Sequence, residues 1–130
     1  MNASARNMKS RIVKADTLHE FKTPERCSIA ENWSSERVSI ARARVKPGIT
    51  TLAHHLEDVD EIYLIMKGKG QVDVGDLEPT EVTAGDIVFI PAGTSQRITN
   101  IGRTDLVFHC ICTPRFTEDC YRDDSQTKPA

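Results

Sequence analysis

Two adjacent histidines and a glutamate stand out in "GITTLAHHLEDVDE", residues 48–61. An imidazole nitrogen and a carboxylate oxygen are both good donors to a divalent metal, at about 2.0–2.2 Å. The same pair could instead move protons without a metal, with His54 acting beside Glu61 or Tyr63. If the segment is extended and regular, His54 and His55 point to opposite faces. His55 turns inward only if a bulge at 53–56 places two residues opposite one. His109, in "LVFHCIC", is the remaining candidate ligand; a lone histidine among apolar residues also reads as a satisfied core residue. His19 lies in the N-terminal segment and is expected to be exposed.

The elements that must hold these groups are short. Turn residues recur at Pro47-Gly48, Gly68, Gly70, Gly75, Pro79, Gly85, Pro91, Gly93, Asn100 and Gly102. Between them, "ERVSIARARV", "EIYLIMK", "GQVDV", "DIVFIP" and "DLVFHCIC" are rich in Val and Ile and read as strands. A helix is expected only near the front, at about 15–21, where Leu18 and Phe21 are three apart. Many short strands with close-set turns imply an all-β antiparallel sandwich or barrel. In "EIYLIMK", Glu61, Tyr63 and Ile65 share one face, and Ile62, Leu64 and Met66 the other. Both faces are apolar enough that the strand should be covered on both sides. A glutamate opening such a strand is costly unless paired or bound to a cation, which makes Glu61 the most informative carboxylate.

A chain of 130 residues with 38% hydrophobic and 28% charged residues fits one globular domain. We expect that domain over residues 11–121, with polar tails at 1–10 and 122–130. No apolar run is long enough to cross a membrane, and "MNASARNMKSRIVK" lacks the apolar stretch of a signal peptide, so a cytoplasmic protein is expected. Cys27, Cys110, Cys112 and Cys120 are spaced neither as a disulfide framework nor as a zinc site and read as buried thiols. Residues 1–46 carry ten Lys/Arg against five Asp/Glu, and residues 47–112 carry four against ten. The basic charges are scattered and lack interleaved aromatics, so nucleic acid is not an expected partner; a solvated face or pairing with the acidic middle is.

Two stretches resemble a known family. "PGITTLAHHLEDVDEIYLIMKG" is similar to the first motif of the cupins: Gly, five residues, His-x-His, four residues, Glu, six residues, Gly. Gly48, His54, Glu61 and Gly68 fall in that register. "GDIVFIPAGTSQRITN" is similar to the second motif, with Gly85, Pro91, Gly93 and Asn100 in register. The resemblance implies a double-stranded β-helix, or jelly-roll barrel, with a ligand or metal pocket inside its mouth. It also implies a metal set of three histidines and a glutamate. Leu56 stands where the second histidine belongs, and Gln96 where the third belongs.

The expected metal ligands are therefore His54, Glu61 and Gln96, with His55 added if a bulge turns it inward. The ion would be iron, manganese, nickel or zinc, and Tyr63 would orient substrate. This reading describes a metal-dependent small-molecule enzyme of isomerase, lyase or dioxygenase type. The alternative is a degenerate-site cupin that binds or senses a small molecule without catalysis, and a third option is metal-free acid–base chemistry. Exposed sheet edges and apolar faces suggest a homodimer. Asn100 is expected to hold a turn through side-chain hydrogen bonds.

Overall fold

The computed structural model describes residues 9–125. Its strands are β1 (Phe21–Lys22), β2 (Ser28–Ser34), β3 (Ser39–Val45), β4 (His54–Leu56), β5 (Asp60–Lys67), β6 (Lys69–Val74), β7 (Thr80–Thr83), β8 (Ile87–Ile90), β9 (Gln96–Asn100), β10 (Leu106–Thr113) and β11 (Tyr121–Asp123). They form two antiparallel sheets, ordered β1-β2-β3-β10-β5-β8 and β11-β4-β9-β6-β7. The two sheets close the antiparallel barrel that the turn spacing implies, in the jelly-roll form that the resemblance implies. Between them pack Ala43, Val45, Tyr63, Ile65, Val72, Val74, Val82, Val88, Ile90, Ile98, Leu106 and Phe108.

The five strands expected from apolar alternation are β3, β5, β6, β8 and β10. The others are shorter or more polar and owe their form to their partners: β4 lies between β9 and β11, pairing His54 with Gln96 and with Asp123. No α-helix occurs among the described residues. The segment at 15–21 instead forms one 3-10 turn, Ala15–Thr17, that buries nothing, and then enters β1. Two apolar residues give too narrow a stripe to hold a helix on the sheet. The tails expected at 1–10 and 122–130 lie largely outside the described residues; the boundary drawn at 122 runs through β11, which pairs with β4.

The chain leaves the first sheet for the second at Gly68, between β5 and β6. Its φ is +90°, and a Cβ there would sit 2.7 Å from the Asp105 carbonyl oxygen, so only glycine fits. Asn100 is buried, and its amide nitrogen donates to the Val45 and Thr104 carbonyls at 2.9 and 2.8 Å. Its side-chain oxygen accepts from the Gly102 N–H. The motif asparagine thus ties three segments at the closed end of the barrel. Basic residues of the N-terminal third pair with acids: Arg44 with Glu20 and Asp105, and Lys46 with Asp105.

The outer face of the first sheet carries an apolar row. Trp33, Ile40, Ile111, Ile62 and Phe89 are successive cross-strand partners from β2 to β8. Arg11 caps the Trp33 end from 5.0 Å. At the other end Phe89 is 56% exposed and the neighbouring Ile87 65%. The double cover expected for β5 is present on its inner face only; outward, Met66 is exposed and Ile62 and Leu64 are half-buried.

Replacing Asn100 with alanine removes three hydrogen bonds and leaves the buried Val45 carbonyl and the half-buried Thr104 carbonyl short of a donor. We expect Asn100→Ala to lose about 2–3 kcal/mol of stability, read as a lower urea midpoint with an unchanged slope. A change below about 0.5 kcal/mol would show that the tether is dispensable.

Candidate functional site

His54, Glu61, Tyr63 and Gln96 all point into the barrel, as strand alternation requires. His54 and Gln96 are cross-strand partners on one sheet; Glu61 and Tyr63 lie two apart on the facing sheet. All four are buried. The Tyr63 hydroxyl donates a short hydrogen bond to Gln96 Oε1, joining the two sheets through the interior. Burial, followed by the Glu61 charge, holds the Tyr63 hydroxyl well above its ordinary range, so it remains a donor.

That bond leaves polar atoms over. Among the described residues Gln96 Nε2 and Glu61 Oε1 are buried with no hydrogen-bond partner. Glu61 Oε2 receives only the long Sγ–H contact of Cys112, at 3.7 Å. Gln96 Nε2 lies near Glu61 without forming a well-shaped hydrogen bond; its amide and the His54 charge lower the Glu61 carboxyl, but burial outweighs them and holds it above its ordinary 4.5. His54 is fixed from behind: Nδ1 donates to the Leu52 carbonyl at 3.1 Å, and the ring stacks on Tyr121 at 4.9 Å. A bond at Nδ1 sets the tautomer and leaves Nε2 as an acceptor; Nε2 has no protein partner among the described residues.

The structure separates the two histidines of the opening stretch. β4 pairs regularly with β11, without a bulge, and His55 faces away from His54. Its Nδ1 lies 2.9 Å from Asp124. Leu56 returns to the inner side and packs with Val59, Cys112 and Cys120, so an apolar cluster fills the position of the second family histidine. His109 alternates with the inward Phe108 and Cys110 and lies on the outer face beside Arg42 and Leu64. Burial and the Arg42 charge lower its pKa. It is outside the barrel and brings no donor to the site. The four cysteines are free, and burial raises the Cys110 and Cys112 thiols, as expected of inert buried groups.

One member of the constellation comes from outside both motifs. Glu25, in the turn before β2, places Oε2 3.6 Å from His54 Nδ1. Burial raises its carboxyl, against the pull of His54. The turn is stapled by Thr23, whose Oγ1 donates to the Cys27 carbonyl and accepts from the Glu25 N–H. The Leu52 N–H donates to the Glu25 carbonyl, and the Leu52 carbonyl receives His54 Nδ1. One residue therefore aligns the two. Nothing in the sequence joins Glu25 to His54, because they meet through a loop contact between segments 27 residues apart; the tight "TPER" turn is the only local signal.

A β-barrel of two antiparallel sheets with a polar cluster inside its mouth defines the class, and the comparisons agree. The cupin domain family matches residues 41–112. An uncharacterized protein of Methanocaldococcus jannaschii is 37% identical over 87 residues, 67% of this chain and 69% of that one. The oxalate-binding protein of Thermotoga maritima is 41% identical over 72 residues, which span 55% of this chain and 58% of that protein. The crystal structure of a predicted oxalate decarboxylase from Thermotoga maritima superposes with a TM-score of 0.74 at 25% identity, covering 80% of this chain and 99% of that one. The chain belongs to the cupin domain family.

Cupins commonly bind a metal, and the side chains here can be tested against that role. Glu61 Oε1 and His54 Nε2 are two available donors. The third position holds Gln96, whose oxygen is already taken by Tyr63. The carboxylate within ion-pair distance of His54 is Glu25, and it lies on the Nδ1 side rather than with Glu61. Among the described residues no group of three or more His, Cys, Asp or Glu side chains is placed to hold a metal ion. Two protein donors fall short of the three that catalytic zinc-type sites use and of the four in the family set. The residues do not fit the family's four-ligand metal centre.

A buried carboxyl that finds no donor is a cost to the fold. We expect Glu61→Leu to stabilise the ligand-free protein by about 1–3 kcal/mol. The gain has a pH signature. The folded state holds the Glu61 proton more tightly than the unfolded chain, so wild-type stability falls as pH rises above about 4.5. The advantage of Glu61→Leu is therefore smallest near pH 4.5 and grows toward neutrality, measured by urea denaturation at several pH values. A constant difference would mean that Glu61 has a partner when folded.

Proposed function

We propose that this chain is a small-molecule-binding cupin whose ligand is held by the protein's own polar groups in the barrel mouth. The carrying observation is the pair of unpartnered buried atoms, Gln96 Nε2 and Glu61 Oε1. One is a donor and the other an acceptor or, when protonated, a donor. A small molecule with adjacent polar atoms would satisfy both, and the free Nε2 of His54 would accept a third hydrogen bond. Tyr63 holds the Gln96 amide in place and so orients the ligand indirectly. The ligand must be small, because His54 and Glu61 are each 7% exposed. A cleft of about 390 Å³ lined by Glu57, Asp58, Pro114 and Arg115 lies elsewhere and includes none of His54, Glu61, Tyr63 and Gln96.

A second reading adds acid–base catalysis of the isomerase or lyase kind. It is favoured by the locked His54 ring, which offers Nε2 as a base in the same cluster as a carboxyl raised by burial.

Metal analysis separates these readings from a metal-dependent enzyme. Purified protein incubated with manganese, iron, nickel or zinc and then desalted is expected to retain well under stoichiometric metal. A thermal-shift panel of small acids, amides, sugars and diketones is expected to give hits on wild type that disappear in Glu61→Leu. Near-stoichiometric metal that is lost in both His54→Ala and Glu61→Gln would overturn the proposal.

The chain's partner on its outer face is a second copy of itself. Two features support this. Among the described residues β8 is the edge of its sheet, paired on one side only, with apolar side chains on both faces, Ile87 and Phe89 outward and Val88 and Ile90 inward. Beside it runs the row of Ile62, Ile111 and Ile40. A two-fold axis near this edge would let the same patch cover itself, the geometry of most homodimers. Light scattering is expected to give a dimer at micromolar concentration and a monomer for Phe89→Glu combined with Ile62→Arg. A monomeric wild type would refute the assembly without touching the interior site.

A further inference from the structure

We propose that Glu25 belongs to the ligand site and that, with Glu61, it selects a small uncharged ligand carrying amide, hydroxyl or carbonyl groups over a dicarboxylate of the same shape. The inference rests on reading the barrel mouth as a small-molecule site and adds the charge of what enters it.

The cluster contains two carboxyl groups and one imidazole. Glu25 Oε2 lies 3.6 Å from His54 Nδ1, which places its charge beside the polar interior. No basic side chain balances these acids. Among the described residues, every Lys and Arg is exposed except Arg42 and Arg44. Those two alternate with the inward Ala43 and Val45, lie on the outer face and pair with Glu20 and Asp105. His54 is the one group inside that can become cationic, and Glu25 already lies against it.

A dianion entering this mouth would leave water without gaining a lysine or arginine and would face carboxylates in a low-dielectric interior. A neutral amide or polyol carries no such penalty. Its carbonyl or hydroxyl oxygen can accept from Gln96 Nε2, and its N–H or O–H can donate to Glu61 Oε1 and to His54 Nε2. The unmatched donor on Gln96 also argues against a purely cationic ligand, which has nothing to accept with. Glu25 is a selecting residue here: the rigid turn at Thr23 and the shared Leu52 peptide hold its charge in place.

The test uses three probes on one three-carbon skeleton, malonamide, malonate and 1,3-diaminopropane, with oxalate beside them, titrated calorimetrically into the full chain and into Glu25→Gln at one pH near neutrality. Wild type is expected to bind malonamide at least about tenfold more tightly than malonate or oxalate. Glu25→Gln is expected to narrow that ratio roughly tenfold, chiefly by improving the acids. A merely structural Glu25 would weaken all probes together. Tighter binding of malonate, oxalate or the diamine by wild type, or an unchanged ratio in the variant, overturns the inference while leaving the small-molecule site standing. If no probe binds wild type, the reading of the barrel mouth as such a site falls with it.

Discussion

The hydrogen bond from Tyr63 to Gln96 organises the interior. It crosses from one sheet to the other through the middle of the barrel, where water is excluded, so neither group can exchange its partner for solvent at low cost. Because the bond fixes the amide oxygen on Tyr63, Gln96 presents its N–H₂ to the space near Glu61. Because Tyr63 is engaged, it cannot serve Glu61. The carboxyl therefore stays unmatched at Oε1, and burial raises its pKa. A single contact thus fixes the polarity of the site.

The rest of the mouth is built by loops that the sheets bring together. Leu52 acts through its backbone alone: one peptide group receives the His54 ring and the other holds the Glu25 turn. Its side chain is immaterial to this role, which is why its identity carries no signal. The Arg26 residue that closes the Glu25 turn adopts φ of +73°, a conformation held by the surrounding bonds of Thr23 and Cys27. The acid reaches His54 because two segments with little regular structure are stapled to each other.

What the sequence revealed follows from this division. The barrel was legible because its five apolar strands alternate with period two and its turns need glycines at fixed points, Gly68 above all. The inward pair of Glu61 and Tyr63 was legible for the same reason, since spacing within a strand decides which face a residue takes, whereas His54 and Gln96 were placed by the motif register. His55 was resolved only by the structure, because a one-residue bulge would have reversed it and no residue type forbids one. Glu25 was invisible, since its role depends on a contact between loops rather than on any period. β4, β9 and β11 were missed because short polar strands are held by cross-strand pairing rather than by their own composition. The metal expectation came from family ligand positions, and two of those four are filled by other groups: Leu56 joins an apolar cluster and Gln96 accepts from Tyr63.

The same strands carry the interior site and the exposed apolar row. β5 places Glu61 and Tyr63 inward and Ile62 and Leu64 outward; β10 places Cys112 inward and Ile111 outward. A period of two allows this, but it also couples the faces, because any shift of β5 along its neighbours would move both sets at once. The proposed pairing of two copies along β8 and the isoleucine row would brace β5 from outside. That brace would matter because the inside of β5 begins with a carboxyl that burial disfavours. A strand that opens on an unsatisfied glutamate is the natural place for local opening, and covering its outer face would offset that tendency. On this argument the apolar exterior and the unsatisfied interior are parts of one arrangement: the first would supply the stability that the second gives up to keep a polar site open for a ligand.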